Sequence, residues 1–336
     1  MPAAAPAMPE LRGLTPLGNL LHFMRDPPDF CRRAAAAGDL VRLRLPGESP
    51  IALHSPELID QVLVGKNRSF IKDRLTRGLA EVVGNGLLVS DGDFWRRQRR
   101  LAQPAFHRER IVRHAASMVA AAERMIATWH EGQVLDVHAA MMGLAREVVA
   151  TTLLSTEVGR RAEDLGEALE VLMARYSDPR HSFFPGFARL PYTEAVVLET
   201  MRLYPPAWSI GREAIEDVEV GGVVLPRGTQ VWMFQWTTHR DERTFHRPLA
   251  FEPERWLDGL QHRLPRFAYF PFGGGPRLCI GHNFAMLEAV LLLATIARRW
   301  RPQVAQKDVP RPQFSITLRP RGGVRATLHR HRPAPA

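Results

Sequence analysis

The stretch Phe270-Pro271-Phe272-Gly273-Gly274-Gly275-Pro276-Arg277-Leu278-Cys279-Ile280-Gly281 decides how this chain is interpreted. Its three consecutive glycines allow positive φ angles and let a bulky group come close to the backbone. The residues that follow, His282 to Leu293, contain no Pro or Gly and predict a buried helix. Because backbone N–H groups near a helix N-terminus stabilise a thiolate, the pattern favours Cys279 as a metal ligand.

A single cysteine cannot complete a structural zinc site, which needs four ligands, whereas one axial thiolate is enough for a haem iron. The pattern Phe-x-x-Gly-x-Arg-x-Cys-x-Gly resembles the haem-ligand signature of the cytochrome P450 family, and its slots are filled by Phe272, Gly275, Arg277, Cys279 and Gly281. The resemblance implies heme b, with its iron bound by the Cys279 thiolate. The structural alternative is a buried cysteine in a glycine-rich turn.

Composition limits the possible classes of protein. With 336 residues, 45% of them hydrophobic, the chain can form a large core. Two cysteines exclude a disulfide framework and fit a cytoplasmic location. The net charge is +10, but the basic residues are scattered and no nucleic-acid motif occurs, so a basic surface that attracts an acidic protein is favoured over nucleic acid. No apolar run reaches the roughly 20 residues that a membrane span requires.

Local patterns predict mostly helices with a few short strands. Residues 26–38, 108–130, 139–155, 160–176 and 192–203 have helical patterns, and Ser55-Pro56-Glu57 opens a further helix. Strands are indicated at Leu40–Leu45 and Ile51–Leu53, which form a hairpin, at 218–229 around a Gly-Gly turn, and at 310–328. The fold class is therefore mainly α with small β-sheets (α+β), and the resemblance implies the cytochrome P450 fold.

Further cations are candidates for binding the haem carboxylates. Trp95 and Arg99 are four residues apart, so they share a helix face and both can donate to a carboxylate. In the family such a pair holds a haem propionate, and the resemblance assigns the same role to Arg212 and Arg277. The alternatives are a basic helix face edged by Trp95 and an Arg212 that lies on the surface of a strand.

A second motif is predicted to stabilise the scaffold. Glu199 and Arg202 are three residues apart, and Tyr204-Pro205-Pro206 and later Phe251-Glu252-Pro253-Glu254-Arg255-Trp256 follow. This order resembles the family's Glu-x-x-Arg motif, with Arg255 as its third member. The resemblance also implies a helix over Val231–Thr238. His239 is expected to be structural, because Cys279 already accounts for the iron.

One expected element is missing from the sequence. The family carries a central helix with Ala/Gly-Gly-x-Asp/Glu-Thr, whose acid and alcohol organise water for proton delivery. No such pair occurs between Tyr176 and Tyr192, where it should lie. By ordinary element lengths, on the order of a hundred residues are absent. We therefore expect one internally truncated domain over 1–336. Residues 1–191 would form its N-terminal portion, residues 192–336 its C-terminal portion, and the gap would lie near 190–192.

The predicted function is a haem-thiolate monooxygenase that inserts one oxygen atom from O2 into a small organic substrate. Its electrons would come from a separate donor of ferredoxin or flavodoxin type with a reductase, which would dock near Arg96, Arg97, Arg298 and Arg299. One alternative is an impaired or inactive P450 remnant that can still bind haem, and another is a peroxide-dependent oxygenase. The substrate stays open among lipids, terpenoids and polyketides.

Overall fold

The structure is a computed structural model that describes residues 8–13, 17–153 and 190–331. The helix predicted over residues 160–176 lies outside these ranges, as does the chain just before the predicted gap. Within them, no helix is both long enough and apolar enough to cross a bilayer. Helices and short strands together confirm the predicted α+β class.

The helices follow local sequence signals closely. In chain order they are α1 Leu20–Arg25, α2 Pro27–Ala37, α3 Pro56–Asp60, α4 Arg74–Gly78, α5 Ala80–Val83, α6 Gly92–Ala102, α7 Arg108–Arg113, α8 Ala115–Ala127, α9 Val137–Leu153, α10 Pro191–Leu203, α11 Gln235–Thr238 and α12 His282–Ala297. The Ser55 side chain caps α3 by accepting the N–H of Leu58 at 3.2 Å, as the Ser-Pro start predicts.

The main helical core surrounds α12. Buried residues of α8, α9, α10 and α12 form one apolar cluster, which includes Met118, Leu144, Val197, Phe284 and Val290. Because α12 is apolar on most of its surface, it is stable only where neighbours cover it, and α8 and α10 pack against it. The helix predicted after Cys279 is confirmed.

A six-stranded sheet forms the other region of the fold. Its strands lie in the order β1 Glu10–Leu11, β2 Leu40–Leu43, β3 Ile51–Leu53, β9 Gln230–Met233, β6 Ile210–Ala214 and β4 Phe70–Lys72. The hairpin of β2 and β3 is confirmed and is antiparallel. β3 pairs in parallel with β9, which joins the N-terminal hairpin to strands from the C-terminal portion of the chain.

The helix expected over Val231–Thr238 is wrong for the first half of that range. Gln230–Met233 is a strand in the middle of the sheet, paired with β3 on one side and β6 on the other, and only Gln235–Thr238 is helical. A short apolar run fits a buried strand as well as a buried helix, so the partners on both sides decide.

Smaller sheets complete the described structure. β7 Val218–Val220 and β8 Val223–Leu225 form the predicted hairpin around Gly221-Gly222. β10 Trp300–Gln303, β13 Arg325–Arg330 and β5 Val134–Asp136 form a three-stranded sheet, and β11 Pro312–Gln313 pairs with β12 Arg319–Pro320. The predicted closing strands are thus confirmed, and they hold both portions of the chain together.

Candidate active site

The cysteine loop, Phe270–Gly281, leads into α12 and presents its thiol outward. Gly275 has φ +64°, and a Cβ atom there would lie 2.0 Å from the carbonyl oxygen of Leu63, so only glycine fits. The N–H of Cys279 donates to the carbonyl of Phe272 at 3.0 Å. The Cys279 side chain is exposed, which does not match the alternative of a buried cysteine.

The other cysteine has the opposite environment. Cys31 is fully buried on α2, and burial raises the pKa of its thiol. A protonated thiol enclosed by apolar side chains is a poor metal ligand. Among the two cysteines, only Cys279 is accessible to a cofactor.

Beside the cysteine loop lies a cation cluster, which we define as Lys72, Arg99, Arg212 and Arg277. Arg99 donates to the carbonyl of Leu278 at 2.9 Å, directly next to Cys279. The guanidinium groups of Arg277 and Arg99 lie 4.6 and 5.5 Å from the Trp95 ring centre. The predicted carboxylate-binding residues Trp95, Arg99 and Arg277 are therefore brought together beside Cys279, and Arg212 lies close enough to Arg277 for their charges to interact.

Lys72 belongs to this cluster although the sequence analysis did not select it. It ends β4, which pairs with the strand of Arg212, so Lys72 and Arg212 are direct partners in the sheet. Its ammonium donates to the carbonyl of Leu87. Burial, and then the charges of Arg277, Arg212 and Arg99, lower the pKa of Lys72 to about 8. A lone lysine in a short strand carries no sequence signal for this contact.

The cluster carries more positive than negative charge. Arg277 pairs with Asp91, and Asp73 also lies near Arg212. Lys72, Arg99 and Arg212 have no salt-bridge partner among the residues described. Burial, and then the charge of Arg277, lower the pKa of Arg212 to about 10.

Four cations with two carboxylates leave two positive charges unbalanced beside an accessible thiol. Half-buried charges of one sign are costly without counter-ions, so the cluster is suited to a ligand with two carboxylates. Haem carries two propionates, and its iron accepts one thiolate. The residues present therefore fit the cofactor that the motif implies.

The remaining motif residues border the same site. Phe272 is half-buried, with its ring centre 6.2 Å from that of His282. Gly281 precedes α12, and a Cβ atom there would lie 3.4 Å from the Phe106 ring. A larger residue at Gly281, just before α12, would therefore press on the Phe106 ring.

Behind the cysteine loop, Glu199 is the centre of a buried network, the Glu199 network. Its carboxylate accepts two bonds from Arg202, at 2.8 Å each, and one from Arg255 at 3.2 Å. The Trp256 indole donates at 2.9 Å. Burial alone would raise the pKa of Glu199, but the bond from Arg202 and the further donors outweigh it and leave that pKa lowered. The predicted contacts among Glu199, Arg202 and Arg255 are present.

Part of the chain next to the cation cluster in sequence is less well covered. Leu75, Val82, Leu88 and Leu101 are each more than half exposed, between β4 and α7. An adjacent acid–Thr pair does occur on α10, but the Glu199 carboxylate is bound by the Glu199 network and the Thr200 hydroxyl donates to the Val196 carbonyl at 2.7 Å, so neither is free for proton delivery. The described residues therefore supply the cation cluster and the thiol but not the expected proton-delivery pair.

Comparisons with known proteins find one matching family model and several similar relatives. A family model described as Cytochrome P450 matches residues 8–187 and 170–325. Cyclooctatin synthase of Streptomyces melanosporofaciens is 30% identical, with 92% of this chain and 93% of the relative covered. Pentalenene oxygenase of Streptomyces avermitilis is 26% identical, with 90% of this chain and 92% of the relative covered.

Solved structures agree on the fold. The Thermus thermophilus protein CYP175A1 gives a TM-score of 0.75 at 23% identity, covering 96% of this chain and 100% of that one. Retinoic acid-bound cyanobacterial CYP120A1 gives 0.76 at 19% identity, covering 98% and 100%. At these identities the likeness concerns the fold alone.

Proposed function

The chain belongs to the cytochrome P450 family of haem monooxygenases, and from this premise we propose that it binds haem through Cys279 and oxidises a terpene. The family's cofactor is haem with a cysteine thiolate on the iron. When bound, haem supplies the activation of dioxygen by which one oxygen atom enters an organic substrate. The roles of individual residues below belong to the proposal.

The observation that carries the proposal is the cation cluster beside an exposed thiol. Trp95, Arg99, Arg212 and Arg277, joined by Lys72, would hold the two propionates by charge-assisted hydrogen bonds. Gly273, where a Cβ atom would have no neighbour closer than 4.0 Å, would leave space for the porphyrin. Glu199, Arg202 and Arg255 would keep the wall behind the loop rigid.

The substrate class is inferred from the relatives. Streptomyces proteins named cyclooctatin synthase, cyclooctat-9-en-7-ol 5-monooxygenase and pentalenene oxygenase align with about nine-tenths of this chain. The exposed apolar side chains of Leu75, Val82 and Leu88 suit a hydrocarbon skeleton better than a charged substrate. We therefore favour terpenoids over lipids and polyketides.

The electron donor would be a separate acidic protein of ferredoxin or flavodoxin type. Arg96 and Arg97 are exposed on α6, on the helix that also carries Arg99 of the cation cluster. Arg298 and Arg299 follow α12, but both lie close to Glu123, which reduces their net charge. A surface of this sign attracts an acidic donor and brings it near the cysteine side of the haem. A free, exposed Cys279 fits the reducing cytoplasm.

A second candidate is a P450 remnant that binds haem without turnover. The alignment with cyclooctatin synthase extends over 430 positions, whereas this chain has only 336 residues. Many residues of the relative therefore have no counterpart in this chain. The family model also matches in two ranges that meet at residues 170–187. Both observations support a missing internal segment, and the overlap of the two ranges supports a position near residues 170–187, a few residues before the predicted 190–192.

One experiment separates the candidates. The full chain is expressed with haem, and the reduced carbon monoxide difference spectrum is recorded. It is then incubated with pentalenene, O2, NADPH, a ferredoxin and its reductase, with and without catalase. A thiolate-shifted Soret band and a catalase-resistant oxygenated product support the monooxygenase. The band without product supports the remnant, product from hydrogen peroxide alone supports the peroxide-dependent reaction, and absence of haem contradicts all three.

A further inference from the structure

A buried histidine connects the Glu199 network to the cysteine loop. We propose that His239 is a positioning residue: its ring accepts the N–H of Phe270 and so fixes the start of the loop that carries Cys279. The inference deepens the proposed function, because it takes Cys279 as the iron ligand.

The contact of His239 with the loop is direct. The residue is fully buried, and its Nε2 accepts the backbone N–H of Phe270 at 2.9 Å. Because Nε2 is the acceptor, the ring proton must lie on Nδ1. The ring also packs on Tyr269 and Phe270, with centroid distances of 5.0 and 5.3 Å. Burial lowers the pKa of His239 to about 3, which keeps the ring neutral and its lone pair available.

The main chain of His239 is held from the other side. Its carbonyl accepts a bond from Arg202 at 2.9 Å, and Arg202 is fully buried against Glu199. The same residue is thus bonded to the network through its carbonyl and to the loop through its ring. Few degrees of freedom remain between α10 and Phe270.

Bonds within the loop continue the connection to the thiol. The N–H of Gly273 donates to the carbonyl of Phe270 at 2.9 Å, and the N–H of Cys279 donates to that of Phe272 at 3.0 Å. The Tyr269 hydroxyl donates to the Leu198 carbonyl at 3.0 Å, a second connection to α10 just before the loop. A shift at Phe270 would therefore move the backbone that aims Cys279.

His54 offers a matched control. It is also buried, at 2% exposure, and burial lowers its pKa to about 4. Its ring stacks on Phe234 with a centroid distance of 6.0 Å, and its Nδ1 lies 3.4 Å from the Thr237 hydroxyl. In the described ranges of the chain it makes no hydrogen bond with the cysteine loop. Removing either imidazole should cost stability, but only His239 should affect the loop.

The test compares His239→Leu, His239→Gln and His54→Leu by hydrogen–deuterium exchange of the full chain, with and without haem. We expect His239→Leu to speed exchange of the amides from Phe270 to Cys279 roughly tenfold. In the haem-loaded chain it should also raise the fraction whose carbon monoxide spectrum lacks thiolate ligation. His239→Gln keeps an acceptor at the same distance along the side chain, so it should restore both the slow amide exchange of the loop and the thiolate ligation. His54→Leu should leave the loop unchanged.

Equal loop exchange in His239→Leu and His54→Leu, or no rescue by Gln, would overturn the proposal. If His239→Leu does not fold, the ¹⁵N histidine spectrum of the unmodified chain decides: an Nδ1–H tautomer supports the bond, and an Nε2–H tautomer refutes it. Exchange needs no bound haem, whereas failure of the proposed function appears as a missing thiolate band in the unmodified chain. The two failures are therefore distinguishable.

Discussion

The Glu199 network and the segment 74–88, which we term the open segment, differ in how well they are covered. Glu199 and Arg202 are fully buried, and the four bonds to the Glu199 side chain from Arg202, Arg255 and Trp256 come from residues that are themselves mostly enclosed. In the open segment, Val82 is 83% exposed and Leu75 is 75% exposed.

This difference shows which of the two regions is fully packed by the described residues. A buried ion network is stable only when every charge has a partner, so its presence indicates an intact wall behind the cysteine loop. Large apolar side chains that are exposed to solvent indicate a surface that another segment or molecule normally covers. We infer that the described residues complete the wall behind the cysteine loop, whereas they leave the open segment uncovered.

The largest effect should come from the thiol itself. Cys279→Ser should abolish the thiolate-type band in the reduced carbon monoxide spectrum, because a serine hydroxyl is not deprotonated at neutral pH and is a poor ligand for this iron. Cys31→Ala, at the buried cysteine, should keep the band. An unchanged band in Cys279→Ser would show that Cys279 is not the iron ligand.

Next in size is the loss of the buried carboxylate. Glu199→Gln leaves Arg202 without its counter-ion in the core, and we expect a loss of about 3 kcal/mol in the free energy of unfolding by urea. Arg96→Gln is the control, because Arg96 pairs with Asp93 at the surface and should change stability by less than about 0.5 kcal/mol. Similar losses in both variants would contradict the contrast between buried and exposed regions.

A smaller effect concerns the cation cluster. In the haem-free chain the pKa of Lys72 is lowered to about 8, and bound propionates would favour its charged form and raise that pKa. Haem affinity should therefore be highest below pH 8 and fall by up to about tenfold per pH unit above it.

The measurement for Lys72 is haem titration followed by quenching of tryptophan fluorescence between pH 7 and pH 10 in the unmodified chain and in Lys72→Met. The variant should bind haem more weakly at pH 7 and should lose most of the dependence above pH 8. A steep fall that persists in Lys72→Met would assign the titration to another group.

The smallest effect belongs to the open segment. Val82→Ser should change the free energy of unfolding by less than about 0.5 kcal/mol, because the side chain is already in solvent. Val220→Ser, at a fully buried valine of the sheet, should cost several times more. A loss at Val82 comparable to that at Val220 would show that something covers the segment.

Several features of the site could be predicted from the sequence because they depend on neighbours in the chain. The Phe272 to Gly281 spacing, the pair of Glu199 and Arg202 and the helical offset of Trp95 and Arg99 are local patterns, and the structure places these residues as expected. The strand at Gln230–Met233 was missed, since a short apolar run has no period of its own that separates strand from helix.

The sequence by itself indicated the family and Cys279 as the candidate iron ligand, and it contains no acid–Thr pair between Tyr176 and Tyr192, because each of these features is visible in adjacent or regularly spaced residues. Only the tertiary structure decided that Lys72 joins the cations, that the ring of His239 binds the amide of Phe270, and that Val82 stays in solvent. Those contacts join residues far apart in the chain. Their existence depends on the strand register and helix packing that bring the two portions together, which no local pattern encodes.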